Sequence, residues 1–544
     1  MASHAVRGKA VFPRGVRYRL ANRSFQGGEA EDQALFSLSF AAVFLYDLIQ
    51  MAQVHLPTSA GVAIEGTGGQ SRFALTSELF IIPLEQARFL VYAPLQSSAF
   101  IGNAAVVRFL QALQSTGGDL DCVPPQSENL VQLLISLQIL NSGTENLPLR
   151  ICDGEPQPVG VTLFLTTTCN LRCRYCYAAS GDSPAKFMSL ETAKKGIDFV
   201  FQNAVALKAG SVHVGYHGGG EPALNWAVLS ASVAYARERA SKEGIKLETS
   251  LATNAVLSDE RIDWLVQNMT GASVSFDGLP ALHDLNRLTV SGEGTSARVM
   301  HTMGRFDAAG FGYGVRATIL ADQIERLPES VEFICANFQP KVVQVEPVYL
   351  LGRGSGAVSA ETQPFVEFFR LARAVAKRRG RDLLFSGVKV ASLSNHFCAA
   401  TTDGFCLTPD GNVTSCFEAF SEETPLASRF FYGRPGAEPG RFEFDPAVLS
   451  DLRSRGVENR AFCGECFARW TCAGDCLYKV LSANGGGDLA GSGRCHVIRE
   501  LTRDLILEKV AESGGLVWAG RQGGGSSCWQ AQSVPEQSVA VTPG

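Results

Sequence analysis

The sequence predicts an α/β core with a small α+β unit before it and a cysteine-rich region after it. Three observations point there. Six short apolar runs alternate with helix-length amphipathic segments between residues 161 and 346, a strand pair and two helical patterns come earlier, and eight of the 15 cysteines crowd between Cys398 and Cys495. At 544 residues, 46% hydrophobic and 19% charged, the chain is a globular one too long for a single core, so about two to four domains are expected.

From the amino end, residues 1–74 form an extension, partly helical. Its strongest apolar run, Ala34 to Ile49, is too short to span a bilayer and carries Ser37, Ser39 and Asp47, which suits a buried amphipathic helix. The start lacks the charged, apolar and small-residue succession of a secretory signal, so a cytoplasmic location is expected. A net charge of −5 and the absence of a long Lys/Arg block argue against nucleic acid and an anionic membrane surface as partners. Residues 75–150 read as a strand pair, "ELFIIPLEQARFLVYAP", followed by the helical patterns "AAVVRFLQALQ" and "SENLVQLLISLQIL".

The core occupies 155–385. Its strand candidates are 161–166, 211–216, 248–253, 272–276, 314–319 and 342–346, with Ser189 and Ser258 placed to cap two of the intervening helices. Strands separated by helices pair in parallel through right-handed crossovers, giving an open or barrel-like α/β domain. Chemistry in such domains sits at the carboxyl ends of the strands. The loop after the first strand, "TTTCNLRCRYCYAAS", holds Cys169, Cys173 and Cys176.

Disulfides are rare in the cytosol, so clustered thiols there read as metal ligands. Zinc prefers paired CxxC thiolates completed to four, and a CxxxCxxC triplet without a nearby fourth ligand fits it poorly. A cubane iron–sulfur cluster fits better, because three thiolates leave one iron open to a small molecule. "CNLRCRYCY" after a first strand, followed by "GYHGGGEP" after the second, closely resembles the radical S-adenosylmethionine (SAM) enzymes. The resemblance implies a partial (β/α)6 TIM-like barrel in which SAM chelates the open iron and is reductively cleaved to a 5′-deoxyadenosyl radical that abstracts hydrogen from substrate. It implies an electron donor such as flavodoxin or ferredoxin. It also places Gly218, Gly219, Gly220 and Glu221 at the methionine end of SAM and Tyr175 beside the adenine. "ATNA" and "VSFDGLPALHDLNR" resemble the family's third and fourth strand ends, offering Asn254, Ser275 and Arg287 to the ribose or carboxylate, although a helix cap or surface ion pair is the plainer role for each. Asp277 is the candidate catalytic base, with His217, Asp284 and Glu346 as others near strand ends.

Residues 390–500 carry Cys398, Cys406 and Cys416, then Cys463, Cys466, Cys472 and Cys476, then Cys495. A zinc ribbon is the simplest alternative for such pairs. Their spacing resembles the SPASM domain, whose members carry two auxiliary 4Fe-4S clusters. By the family's interleaving, Cys463, Cys466, Cys472 and Cys495 hold one cluster and Cys398, Cys416 and Cys476 the other. Cys406 either completes the second to four thiolates, the reading adopted, or is a buried free thiol. Apolar periodicity is poor here, so the clusters are expected to hold the region together. Residues 501–544 read as a helix and a disordered tail.

The cofactors implied are thus three 4Fe-4S clusters and SAM. The activity implied is a radical SAM maturase acting on a ribosomally synthesised precursor peptide and installing a thioether, carbon–carbon or carbon–oxygen crosslink. Residues 75–150 would then be a winged-helix-like element binding the peptide by strand addition, or else a structural cap on the barrel. A sulfatase-maturating formylglycine generator is the alternative, and a non-catalytic iron–sulfur redox protein a remote one.

Overall fold

The computed structural model describes residues 74–115, 127–141, 145–358, 361–438, 440–483 and 493–519. The helix expected at Ala34 to Ile49 and the tail expected from Gly520 onward lie outside the described residues.

All six apolar runs are strands: Gly160–Phe164, Ser211–His217, Lys246–Thr253, Gly271–Ser275, Tyr313–Ile319 and Val342–Pro347. Each pairs in parallel with the next in sequence order. A short seventh strand, Asp382–Leu384, extends the parallel run beyond the sixth. The strands are apolar because helices cover them: Val161 and Leu163 are fully buried with Ile197, Val200 and Phe201 of the helix Leu190–Ala206. Ser189 caps that helix by accepting from Thr192 N–H at 3.0 Å. Ser258 has the extended backbone of a cap but makes no side-chain cap bond.

The cysteine-rich region departs from expectation by sharing the main core. Cys406–Leu407 lies parallel to the first strand, and Val413–Thr414, Phe431–Pro435 and Phe442–Phe444 continue the sheet antiparallel, making eleven strands among the described residues. Phe405, Leu407, Phe430, Tyr432 and Leu452 are buried in the main hydrophobic cluster. These strands are two to five residues long, below the length at which alternation is visible in sequence. Gly196 lets Leu407 pack closely at this junction: a β-carbon there would stand 2.4 Å from Leu407 Cδ1.

The expected strand pair is Phe80–Pro83 with Arg88–Ala93, and Ser98–Asn103 adds a third strand before the helices Ala104–Ser115 and Glu128–Ser136. A fourth comes from the far end of the chain: Val517–Ala519 pairs antiparallel with Ser98–Asn103. The helix Gly493–Glu512 that leads to it buries Ile506 and Val510 against Leu90, Tyr92 and Ala99. No helix among the described residues is long and apolar enough to cross a membrane.

Candidate active site

Burial and hydrogen bonding hold the three-cysteine loop at the carboxyl end of the first strand. Arg172 and Arg174 N–H donate to the Leu288 and Asn286 carbonyls at 2.7 and 2.9 Å, and Arg353 donates Nε to the Cys173 carbonyl at 3.0 Å and its backbone N–H to Cys176 at 3.0 Å. Gly352 lies so close beneath that a β-carbon would meet the Cys176 carbonyl oxygen at 2.4 Å. Cys173 is buried, and Cys169 and Cys176 are half-buried. Burial, then the charge of Glu221, pushes the Cys169 thiol up to about 12. Burial outweighs the help of Arg287 and leaves Cys173 at about 11. Each of the two also senses its neighbouring thiols. Three soft sulfur donors grouped in one loop, with burial disfavouring the ionisation of Cys169 and Cys173, suit a multinuclear iron–sulfur centre that supplies positive charge.

The glycine loop after the second strand presses on this one. A β-carbon on Gly220 would sit 2.1 Å from the Thr168 carbonyl oxygen, and Glu221 N–H donates to that same oxygen at 3.0 Å. Gly218 takes φ +129° and its carbonyl accepts from Tyr177 Oη at 2.9 Å. Glu221 was expected to face a ligand amine. Its carboxylate instead accepts from Asn254 N–H at 2.7 Å, Thr253 Oγ1 at 2.8 Å and Ala223 N–H at 3.1 Å. It ties the second and third strand ends together, and burial still raises its pKa against those three bonds. Asn254 Nδ2 bonds Asn170 Oδ1 at 2.8 Å and lies 3.7 Å from Cys169 Sγ. Ser275 ends the fourth strand, half-buried.

Asp277, two residues beyond Ser275, is the hub of this same strand end. It is buried, accepts from the Tyr175 hydroxyl, from Arg287 Nε at 3.2 Å and Nη2 at 3.1 Å, and from Thr318 N–H at 3.2 Å. Burial would raise its pKa, but Arg287 and His283 outweigh it and hold the carboxylate below the usual range. Arg287 in turn covers the Tyr175 ring at 5.2 Å. A carboxylate so engaged is a poor proton acceptor, which weighs against the base expected at this position. Asp284 caps the helix Ser296–Ala308, accepting from Thr295 and Ser296 N–H at 2.7 Å each. His217 stacks on Phe417 at 4.6 Å, and burial followed by Arg316 lowers its pKa to about 3. Glu346 is buried and meets Tyr349 Oη at 2.6 Å, Ser386 N–H at 2.8 Å and Arg494 at 3.5 Å.

The later thiols separate into groups. Cys472 senses Cys495, Cys463 and Cys466, whereas Cys416 senses Cys476 and Cys398. Between Cys472 and Cys476, Ala473, Gly474 and Asp475 all take positive φ, at 50°, 80° and 63°. Two non-glycine residues in that region are the kind of strain that a functional site retains. Asp475 is buried and paired with Arg494 at 2.6 Å. Cys406 stands apart, hydrogen-bonded to Thr162 and sensing Cys398 alone among the thiols. Among the described residues no three His, Cys, Asp or Glu side chains converge for a single metal ion. Arg353, Arg494, Lys479 and Tyr349 escaped the sequence reading, since each reaches the site from a loop or helix with no motif of its own.

The Radical SAM superfamily model matches residues 163–334. The sporulation killing factor maturation protein SkfB of Bacillus subtilis is 24% identical over 270 residues, 48% of this chain and 60% of that protein. The Fe-coproporphyrin III synthase of Methanosarcina barkeri is 26% identical over 249 residues, 44% of this chain and 57% of that one. The chain thus matches about three fifths of these relatives' lengths. In structure it resembles native anSMEcpe with bound AdoMet and a Cp18Cys peptide, with a TM-score of 0.52 at 18% identity over 65% of this chain and 99% of that one. Residues 163–334, with the three-cysteine loop at the carboxyl edge of their parallel sheet, are a radical SAM domain.

Proposed function

We propose that this protein is a radical SAM maturase that modifies a ribosomally made precursor peptide oxidatively. The observation that carries the reading is the three-thiol loop, tied to the glycine loop through Thr168, beside two further thiol groups in one chain. When bound, the cluster and SAM supply one-electron hydrogen-abstraction chemistry. The chain's own part is to hold and seal that pair. Cys169, Cys173 and Cys176 would provide three thiolates, Gly218 to Gly220 let their loop press against Phe164, Phe420 and the Thr168 carbonyl beside them, and Asn254 and Ser275 stand at adjoining strand ends. Asp277 positions Tyr175 and Arg287 rather than moving a proton. The unbroken parallel strand order, with crossovers of the usual right hand, would leave the helices on one face and supports a partial barrel.

Cys463, Cys466, Cys472 and Cys495 would hold one auxiliary cluster, and Cys398, Cys416 and Cys476 three positions of another. These clusters would accept the second electron of a net oxidation. Peptide recognition is assigned to residues 75–150. With Val517–Ala519 on one edge of that sheet, the other edge, Phe80–Pro83, has only one strand neighbour among the described residues and is open to strand addition. SkfB is named for maturation of the sporulation killing factor, which favours a peptide over a small-molecule substrate. Formylglycine formation remains the second reading, favoured by the fold shared with anSMEcpe.

Co-expression with a candidate precursor, followed by mass spectrometry, tests the proposal. A mass loss of about two hydrogens per modification, absent with the Cys169/Cys173/Cys176→Ala variant, is expected. An unmodified peptide alongside vigorous uncoupled SAM cleavage would reject that precursor. Modification that survives in the variant would reject the mechanism.

A further inference from the structure

The group Cys398, Cys416 and Cys476 offers three thiols where a cubane cluster wants four terminal ligands, and two nearby side chains compete for the last place. Cys406 is the obvious one by chemistry, yet its position is poor. It sits on a two-residue strand locked in register with Thr162 on one side and Thr414 on the other, buried, with its thiol on Thr162. Of the other thiols only Cys398 influences it.

Glu418 is placed differently. It follows Cys416 by two residues, and its backbone N–H donates to the Cys416 sulfur. Its charge acts on both Cys416 and Cys476, and is the first charged neighbour felt by each. One carboxylate oxygen stands 3.7 Å from Lys479 Nζ, beyond hydrogen-bond reach. The other, Oε2, is buried with no hydrogen-bond partner. The side chain is only 19% exposed. A carboxylate oxygen buried with nothing to bond is costly in a finished fold, so a missing partner is indicated for Oε2. The segment is not free to swing away: Phe417 stacks on His217 and Phe420 packs edge-on against Tyr177 at 6.1 Å.

We propose that Glu418, and not Cys406, supplies the fourth ligand of the iron–sulfur cluster held by Cys398, Cys416 and Cys476. The proposal rests on the cluster assignment above. Carboxylate ligation replaces one soft donor by a hard one and closes the last iron against substrate. The iron of the SAM cluster is then the open one. No proton or electron is exchanged in the assignment; Glu418 oxygen donates to iron in place of water.

The test uses the full chain carrying Cys169/Cys173/Cys176→Ala, which removes the open cluster and leaves about eight irons in two auxiliary ones. Each further variant is reconstituted anaerobically, assayed for iron and sulfide, then oxidised with ferricyanide and examined by electron paramagnetic resonance. With Glu418→Gln or Glu418→Ala, the exposed iron is lost, so iron falls by about one per chain and a three-iron signal appears. With Cys406→Ala, iron and spectrum stay as in the parent, and Glu418→Cys restores the stable four-iron form. A three-iron signal from Cys406→Ala, or an unchanged spectrum from Glu418→Gln, overturns the proposal. Cys416→Ala separates the two levels: it is expected to remove about four irons, and retention of all of them would mean that no cluster is held there, which is a failure of the underlying reading.

Discussion

At the residue scale the site depends on buried charges that compensate one another. Asp277 and Arg287 are both buried and bonded to each other at 3.1 Å, so removing one leaves the other stranded. Arg287→Ala is expected to lower stability by about 3 to 5 kcal/mol in denaturant unfolding, more than an exposed arginine would. His217 gives a pH dependence. Its folded pKa is lowered from 6.5 to about 3, so the unfolded chain binds the proton first as pH falls. The stability that neutral His217 contributes is complete above 6.5 and is lost progressively as pH drops toward 3. His217→Phe, which keeps a ring against Phe417, should flatten the fall between those limits by about 1.4 kcal/mol per pH unit, seen in unfolding midpoints at graded pH. At this scale the cysteines were legible because their spacing is chemistry in itself. The carboxylates were not: Asp284 proves to be a helix cap and Asp277 the partner of Arg287, and nothing in sequence distinguishes those tasks from catalysis.

At the element scale the close contact between two loops decides the site. Gly220 has no room for a methyl group against the Thr168 carbonyl. Gly220→Ala should force the loops apart at a cost of about 1 to 3 kcal/mol, weakening SAM binding at least tenfold by calorimetry while the iron of the two later groups is retained. The six core strands were legible because a strand covered by helices reads as a continuous apolar run, and all six lie within a few residues of expectation. The short strands from Cys406 to Phe444 were not, since their stability comes from Leu407, Phe430 and Tyr432 entering a core built by other elements.

For the whole molecule, two segments far apart in sequence share one sheet: Val517–Ala519 lies on Ser98–Asn103. Pairing over so long a sequence separation leaves no local trace, which is why residues 501–544 read only as a helix and a tail. Truncation before Val517 would expose that strand edge, and faster limited proteolysis within residues 80–103 is the expected outcome. The central claim is that three thiolates hold the cluster at which SAM is cleaved, with the other thiols holding separate clusters. Its most direct measurement compares iron content and SAM cleavage in the reconstituted wild type and the Cys169/Cys173/Cys176→Ala variant. The account predicts about twelve irons falling to about eight with cleavage abolished. Cleavage that persists in the variant, or iron that does not fall, would contradict it.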